Sequence, residues 1–179
     1  MLSAGQVITS KKFNDINVSG SQYMTEILQK YYNEKFKDGV CNHGEAYFAG
    51  TGYTYLNPCF ELLLEKNRIA INSNLPSRAN CIFAIDDIRN IPQLIKLLKL
   101  NPHEVEIWEV ECEKSFKADM YILDVAQKMF LLGESMLITS LLIDYYWQGK
   151  KLKDFNPNEI TFWEYLLEPP VKVISKVMI

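Results

Sequence analysis

Residues 159–179 read EITFWEYLLEPPVKVISKVMI, and this run limits the possible folds more than any other in the chain. In an extended chain successive side chains point to opposite faces. Phe162, Glu164, Leu166 and Glu168 then share one face, and Trp163, Tyr165 and Leu167 share the other. Both faces are largely apolar, which calls for a sheet covered on both sides. The Pro169-Pro170 pair breaks the run, so two strands, TFWEYLLE and VKVISKVM, are expected on either side of a turn. Glu164 sits at the centre of the first strand and is expected to be partly buried. A buried carboxylate is costly unless it has a partner or a task. Glu168, beside the prolines, reads as a solvated turn residue.

The rest of the chain mixes helical and extended patterns. YMTEILQKYYNEKF has two helical rows, Tyr23, Ile27 and Tyr31 beside Met24, Leu28, Tyr32 and Phe36, with Ser21 as the N-cap. The stretch from Lys37 to Pro58 carries four glycines and reads as a long irregular loop, a common place for binding residues. NPCFELLLEKN is a helix with Asn57 as cap and Pro58 at its first position. Cys81 to Ile85 form a short strand entered through a Pro-Ser-Arg turn. NIPQLIKLLKL is a helix capped by Asn90, with Gln93 at the capping-box position. EVEIWEVECE alternates as a strand of seven or eight residues, and ADMYILDVA reads as a weaker extended segment. GESMLITSLLIDYYWQGK is apolar nearly all round, which predicts a helix buried on most sides and closed by Gly149. Without a strict βαβ rhythm, the pattern predicts an α+β fold with split, mostly antiparallel β-sheets and flanking helices.

Length and composition agree with one folded domain over residues 1–179, since 48% of the chain is apolar and 23% charged. A net charge of −3 argues against a protein held on nucleic acid by bulk charge, though a local basic patch stays open. The four cysteines form no CxxC pair, which suggests reduced, buried thiols and a cytoplasmic location. No signal peptide is read at the N-terminus and no run is long enough for a transmembrane helix, so no membrane partner is expected.

No single motif settles an activity. CNHGE brings Cys41, His43 and Glu45 together, but no second cluster completes a ligand set, and no metal is expected. The GTG at Gly50–Gly52 does not extend to a dinucleotide fingerprint. Arg78 is held at a strand entrance, where it could grip a phosphate or carboxylate in two-pronged fashion or pair with a neighbouring acid. Tyr145, Tyr146 and Trp147 could wall a flat ring or simply pack in the core.

Taken in order, LSAGQVI, ELLLEKNR, LPSRANCIFA, VEIWEVE, DYYWQGK and WEYLLEPPVKVI resemble an uncharacterised family of bacterial and phage proteins related to the ADP-ribosyltransferase fold. The resemblance spans nearly the whole chain and lies in the order of short motifs. It implies split sheets around a cleft that binds NAD as substrate. Glu164 matches the catalytic glutamate, which would hydrogen-bond the nicotinamide ribose and stabilise the cation formed as nicotinamide leaves. Ser77 and Arg78 would line the dinucleotide cleft, and Tyr145 or Tyr146 would pack on the nicotinamide ring. The acceptor would be a protein or a nucleic acid. In that family a strand ahead of the Leu-x-x-Gly-Gln segment supplies a His or Arg for the NAD ribose, and the sequence from Met1 does not contain it. Phe162 stands where the arginine-modifying branch carries a second Glu or Gln, so arginine modification is not implied. The alternative is a catalytically degenerate member that acts as a binding or inhibitory protein through a protein partner.

Overall fold

The computed structural model describes residues 1–16, 22–49 and 58–178. The expected caps Ser21 and Asn57, and the GTG segment, lie outside them. Among the described residues the architecture is mixed α+β, with one four-stranded antiparallel sheet and six α-helices. The described strands form a single sheet where the sequence pattern predicts split sheets.

The sheet is organised by β4 (Trp163–Val177). Along one edge it pairs with β3 (Ile107–Asp119) over nearly its whole length. Along the other edge lie two short strands end to end. β1 (Val7–Ile8) pairs with Lys172 and Val171, and β2 (Ile82–Ala84) pairs with residues 165–167. The prolines therefore do not make a turn, and the expected pair of strands is one. Prolines cannot donate to a ladder. Here they fall in the gap between β1 and β2 on one side, and opposite a register shift between Cys112 and Lys114 on the other. Neither neighbour asks them for an N–H, so the strand runs through.

Three helical expectations change. CNHGE is not loop but α2 (Asn42–Ala49). A Cβ on Gly44 would lie 2.3 Å from the Ala79 carbonyl oxygen, so only glycine lets α2 press against the 77–80 turn. ADMYILDVA is not extended: β3 ends at Asp119, and α5 (Met120–Leu131) begins there. The Asp119 carboxylate caps the helix at Tyr121 N–H and also accepts the N–H groups of Leu152 and Phe162. It thereby fastens three segments together from a fully buried position. α6 (Met136–Trp147) buries only one side. Thr139, Leu142, Ile143, Tyr146 and Trp147 face inward, while Met136, Leu137, Ile138 and Leu141 are exposed.

Other elements follow the sequence. In α1 (Gln22–Lys35) Tyr32 is buried, as is Phe36 just beyond its end, with Leu28 packed against them, and Tyr23, Ile27 and Tyr31 are the outer row. α3 (Pro58–Asn72) is longer than NPCFELLLEKN. α4 (Ile91–Leu97) forms, but the Asn90 side chain does not cap it, and Gln93 donates to the Tyr121 hydroxyl instead. Gly149, at φ 67°, closes α6 as expected. The main core lies between the sheet and α3, α5 and α6, centred on Leu64, Ile122, Ile143, Trp147 and Leu166. Among the described residues no helix is long and apolar enough to cross a membrane.

Candidate active site

The site starts from the turn after α3. Arg68 grips both oxygens of Glu65 at 3.0 and 2.7 Å and also donates to the carbonyls of Ser73 and Leu75. The Ser77 hydroxyl donates to Glu65 at 2.8 Å. This buried lattice fixes the path of residues 73–77 and delivers Arg78 to the core side of β2.

Arg78 is the hub. Its Nη1 donates to the Tyr146 hydroxyl at 2.8 Å and to Glu164 Oε1 at 3.1 Å. The Tyr146 hydroxyl in turn donates to Glu164 Oε1 at 2.9 Å. Arg78 Nε stands 3.5 Å from Glu61 Oε2, an ion pair without a well-aligned hydrogen bond. The guanidinium lies 4.7 Å from the Phe83 ring centroid. On the far side of Glu61, His43 Nε2 is 3.3 Å from Oε1, and the imidazole meets Phe83 edge to face. Five elements thus converge: α2 brings His43, α3 Glu61, β2 Phe83, α6 Tyr146 and β4 Glu164.

Two carboxylates, Glu61 and Glu164, share the one guanidinium of Arg78, so acidic groups outnumber it in this buried cluster. Burial pulls the Arg78 pKa down, but Tyr146, Glu164 and Glu61 more than reverse this and hold it well above its ordinary value. Burial pushes the Tyr146 phenol well up, with Glu164 adding to the shift. Burial would raise the Glu61 carboxyl, yet Arg78 and His43 overcome it and keep it below the usual range. The arginine and Glu61 therefore stay charged, and the tyrosine keeps its proton, throughout the neutral range.

The cluster forms the polar end of an open cleft of about 260 Å³. Phe83, Ile85, Leu94, Leu98 and Met120 make its apolar walls, and His43, Arg78 and Glu164 its polar part. Both recorded bonds to Glu164 fall on Oε1, and among the described residues no hydrogen bond reaches Oε2. A second cleft, of about 300 Å³, opens at the gap between β1 and β2 beside Pro169, and His43 and Phe83 line it too.

Of the residues singled out by sequence, Glu164, Arg78 and Tyr146 meet. Glu164 is more buried than expected, at 5% exposure. Arg78 pairs with acids, and Tyr146 packs in the core while bonding both Arg78 and Glu164. Ser77 adjoins the cluster but is spent on Glu65. Tyr145 points elsewhere and stacks on Phe155 with centroids 4.2 Å apart. Glu168 is not in a turn; it lies within β4 opposite Lys114, whose ammonium is 3.8 Å away. Cys41, His43 and Glu45 diverge: Cys41 is buried with its thiol pushed up by burial, and Glu45 pairs with Lys11. Glu61 was missed because an acid in the first turn of a helix is ordinary there. Its row continues through Leu64, Glu65 and Arg68, a mixed pattern that does not single it out.

No curated protein matches the chain. The family described as "Protein of unknown function (DUF2441)" matches over residues 4–178, and the chain belongs to it.

Proposed function

We propose that the cleft beside Glu164 binds NAD, and that the protein is an ADP-ribosyltransferase-like domain that passes ADP-ribose to a protein or nucleic-acid acceptor. One observation carries the reading: a buried cluster with two carboxylates to one guanidinium closes one end of an apolar cleft. Such a site favours a flat ring that bears positive charge, as the pyridinium of NAD does. The ring would lie among Phe83, Leu94, Leu98 and Met120. The resemblance of the ordered motifs around Arg78, Tyr146 and Glu164 supports the same reading.

In this reading the bond between ribose C1′ and the nicotinamide nitrogen breaks, and its electron pair leaves with nicotinamide. Glu164 accepts a hydrogen bond from the ribose 2′-hydroxyl through Oε2, and its charge stabilises the oxocarbenium-like cation. The acceptor's nucleophile then bonds to C1′ and gives up its proton to solvent. Arg78 and Tyr146 act through Glu164 by fixing Oε1, which makes them positioning residues.

A second reading rests on the same two bonds. With Oε1 fully engaged, the domain could hold NAD or a protein partner without chemistry, as a degenerate binding or inhibitory member of that fold. Calorimetric titration with NAD, together with transfer of label from NAD to proteins or oligonucleotides, separates the two. The transferase reading expects binding and transfer in the wild type, and transfer abolished in a folded Glu164→Gln. Binding without transfer moves the assignment to the degenerate reading, and no binding removes NAD from the account.

A further inference from the structure

The face of the sheet turned away from Glu164 carries a different surface. Trp163 and Tyr165 flank Glu164 in β4 and so project from the opposite side. Both are half-buried. Lys117 of β3, the register partner of Tyr165, places its ammonium 4.7 Å from the Trp163 ring centroid and 5.0 Å from that of Tyr165. Lys151 approaches the same tryptophan at 5.8 Å. Beside them Tyr145 stacks on Phe155 with planes 10° apart, and the Lys150 ammonium stands 4.1 Å above Tyr145. Lys151, which reaches Trp163, adjoins Lys150, which covers Tyr145, so the two groups are neighbours.

This is a local basic patch on a chain of net charge −3. Two acids oppose it: Asp86 accepts the Tyr165 hydroxyl and stands 3.5 Å from Lys117, and Asp154 accepts the Lys151 backbone N–H at 3.1 Å. Among the described residues Lys150 and Lys151 form no salt bridge. Lysines lying over half-buried aromatic rings make weak contacts that a stronger anion displaces. A phosphate would take the ammonium and a base would take the ring. An acidic peptide could use the lysines but has no flat faces for the four aromatic rings.

We propose that this face binds single-stranded nucleic acid. Bases stack on Trp163, Tyr165 and the Tyr145–Phe155 pair, and phosphates meet Lys117, Lys150 and Lys151. Trp163, Tyr165 and Lys117 lie on the other side of the sheet from the cleft, and none of the proposed contact residues lines the cleft, so the inference is independent of what the cleft binds.

Anisotropy of labelled single-stranded DNA and RNA oligonucleotides, titrated with the full chain over a range of salt, tests it. Saturable binding is expected, with a log–log salt slope of about −2 from three phosphate contacts on a single strand. Lys117→Ala with Lys151→Ala should flatten that slope by about 1.4. Trp163→Leu should weaken binding roughly fivefold or more. A thermal melt checks that each variant folds, and the lysine pair serves if the tryptophan variant does not. No binding at low salt, or a slope unchanged in the lysine variant, would overturn the proposal. So would displacement by polyglutamate together with indifference to Trp163→Leu, which would assign the face to an acidic protein.

Discussion

Replacing Arg78 by methionine removes the one guanidinium that Glu61 and Glu164 share, at 3.5 and 3.1 Å, and keeps an apolar stem under Phe83. Breaking a buried ion pair from one side costs about 3–5 kcal/mol. The loss is capped, because a glutamate with a reference pKa of about 4.3 can instead take up a proton, at about 3.7 kcal/mol at pH 7 and about 1 kcal/mol at pH 5. The pH dependence then has a definite sign. In the wild type the Glu61 pKa is depressed, so its contribution is present above the unfolded value and is lost as pH falls through the folded one. In Arg78→Met the Glu61 carboxyl loses the main charge that opposes its burial, so its pKa rises and the variant gains stability as pH falls. The deficit should therefore be about 3–4 kcal/mol at pH 7, a melting shift of roughly 6–16 °C for a chain of this size, and should shrink to about 1 kcal/mol near pH 5. Urea unfolding at the two pH values, followed by tryptophan fluorescence, measures it. A deficit below about 1 kcal/mol at pH 7, or one that does not shrink on acidification, refutes the shared-guanidinium account.

Asp119→Ala strips three backbone N–H groups of their acceptor and uncaps α5, so urea unfolding should show a loss of about 3 kcal/mol or more. Gly44→Val forces a Cβ to within 2.3 Å of the Ala79 oxygen and pushes α2 off the 77–80 turn; a loss of about 1–3 kcal/mol is expected, with amide exchange faster in α2 than in α5. Tyr146→Phe removes the hydroxyl that bonds Arg78 and Glu164. Its stability should fall by about 1–3 kcal/mol, and any NAD turnover should drop through kcat rather than KM.

What the sequence made legible was what periodicity encodes. The buried face of β4 was readable because Phe162, Glu164 and Leu166 alternate with Trp163 and Tyr165, and that reading placed Glu164 in the interior. Arg78 was readable because Pro76 and Ser77 precede a short apolar run. The failures came where a distant partner outvotes a local signal. Pro169-Pro170 looks like a break until β1 and β2 leave a gap beside it. Gly44 looks like a loop glycine until Ala79 is brought against it, and Asp119 looks like one more strand polar group until three N–H groups gather around it. α6 is apolar on every side, and only tertiary packing decides that Leu137 stays outside. Glu61 and His43 joined the site through contacts across α2 and α3 that no spacing in the chain announces.

The most direct test of the account is the release of nicotinamide from NAD, followed by chromatography, for the wild type beside Glu164→Gln. The account predicts release by the wild type and loss of it in a glutamine variant that melts like the wild type. Equal release by both proteins, or none from a wild type saturated with NAD, would contradict the role assigned to Glu164.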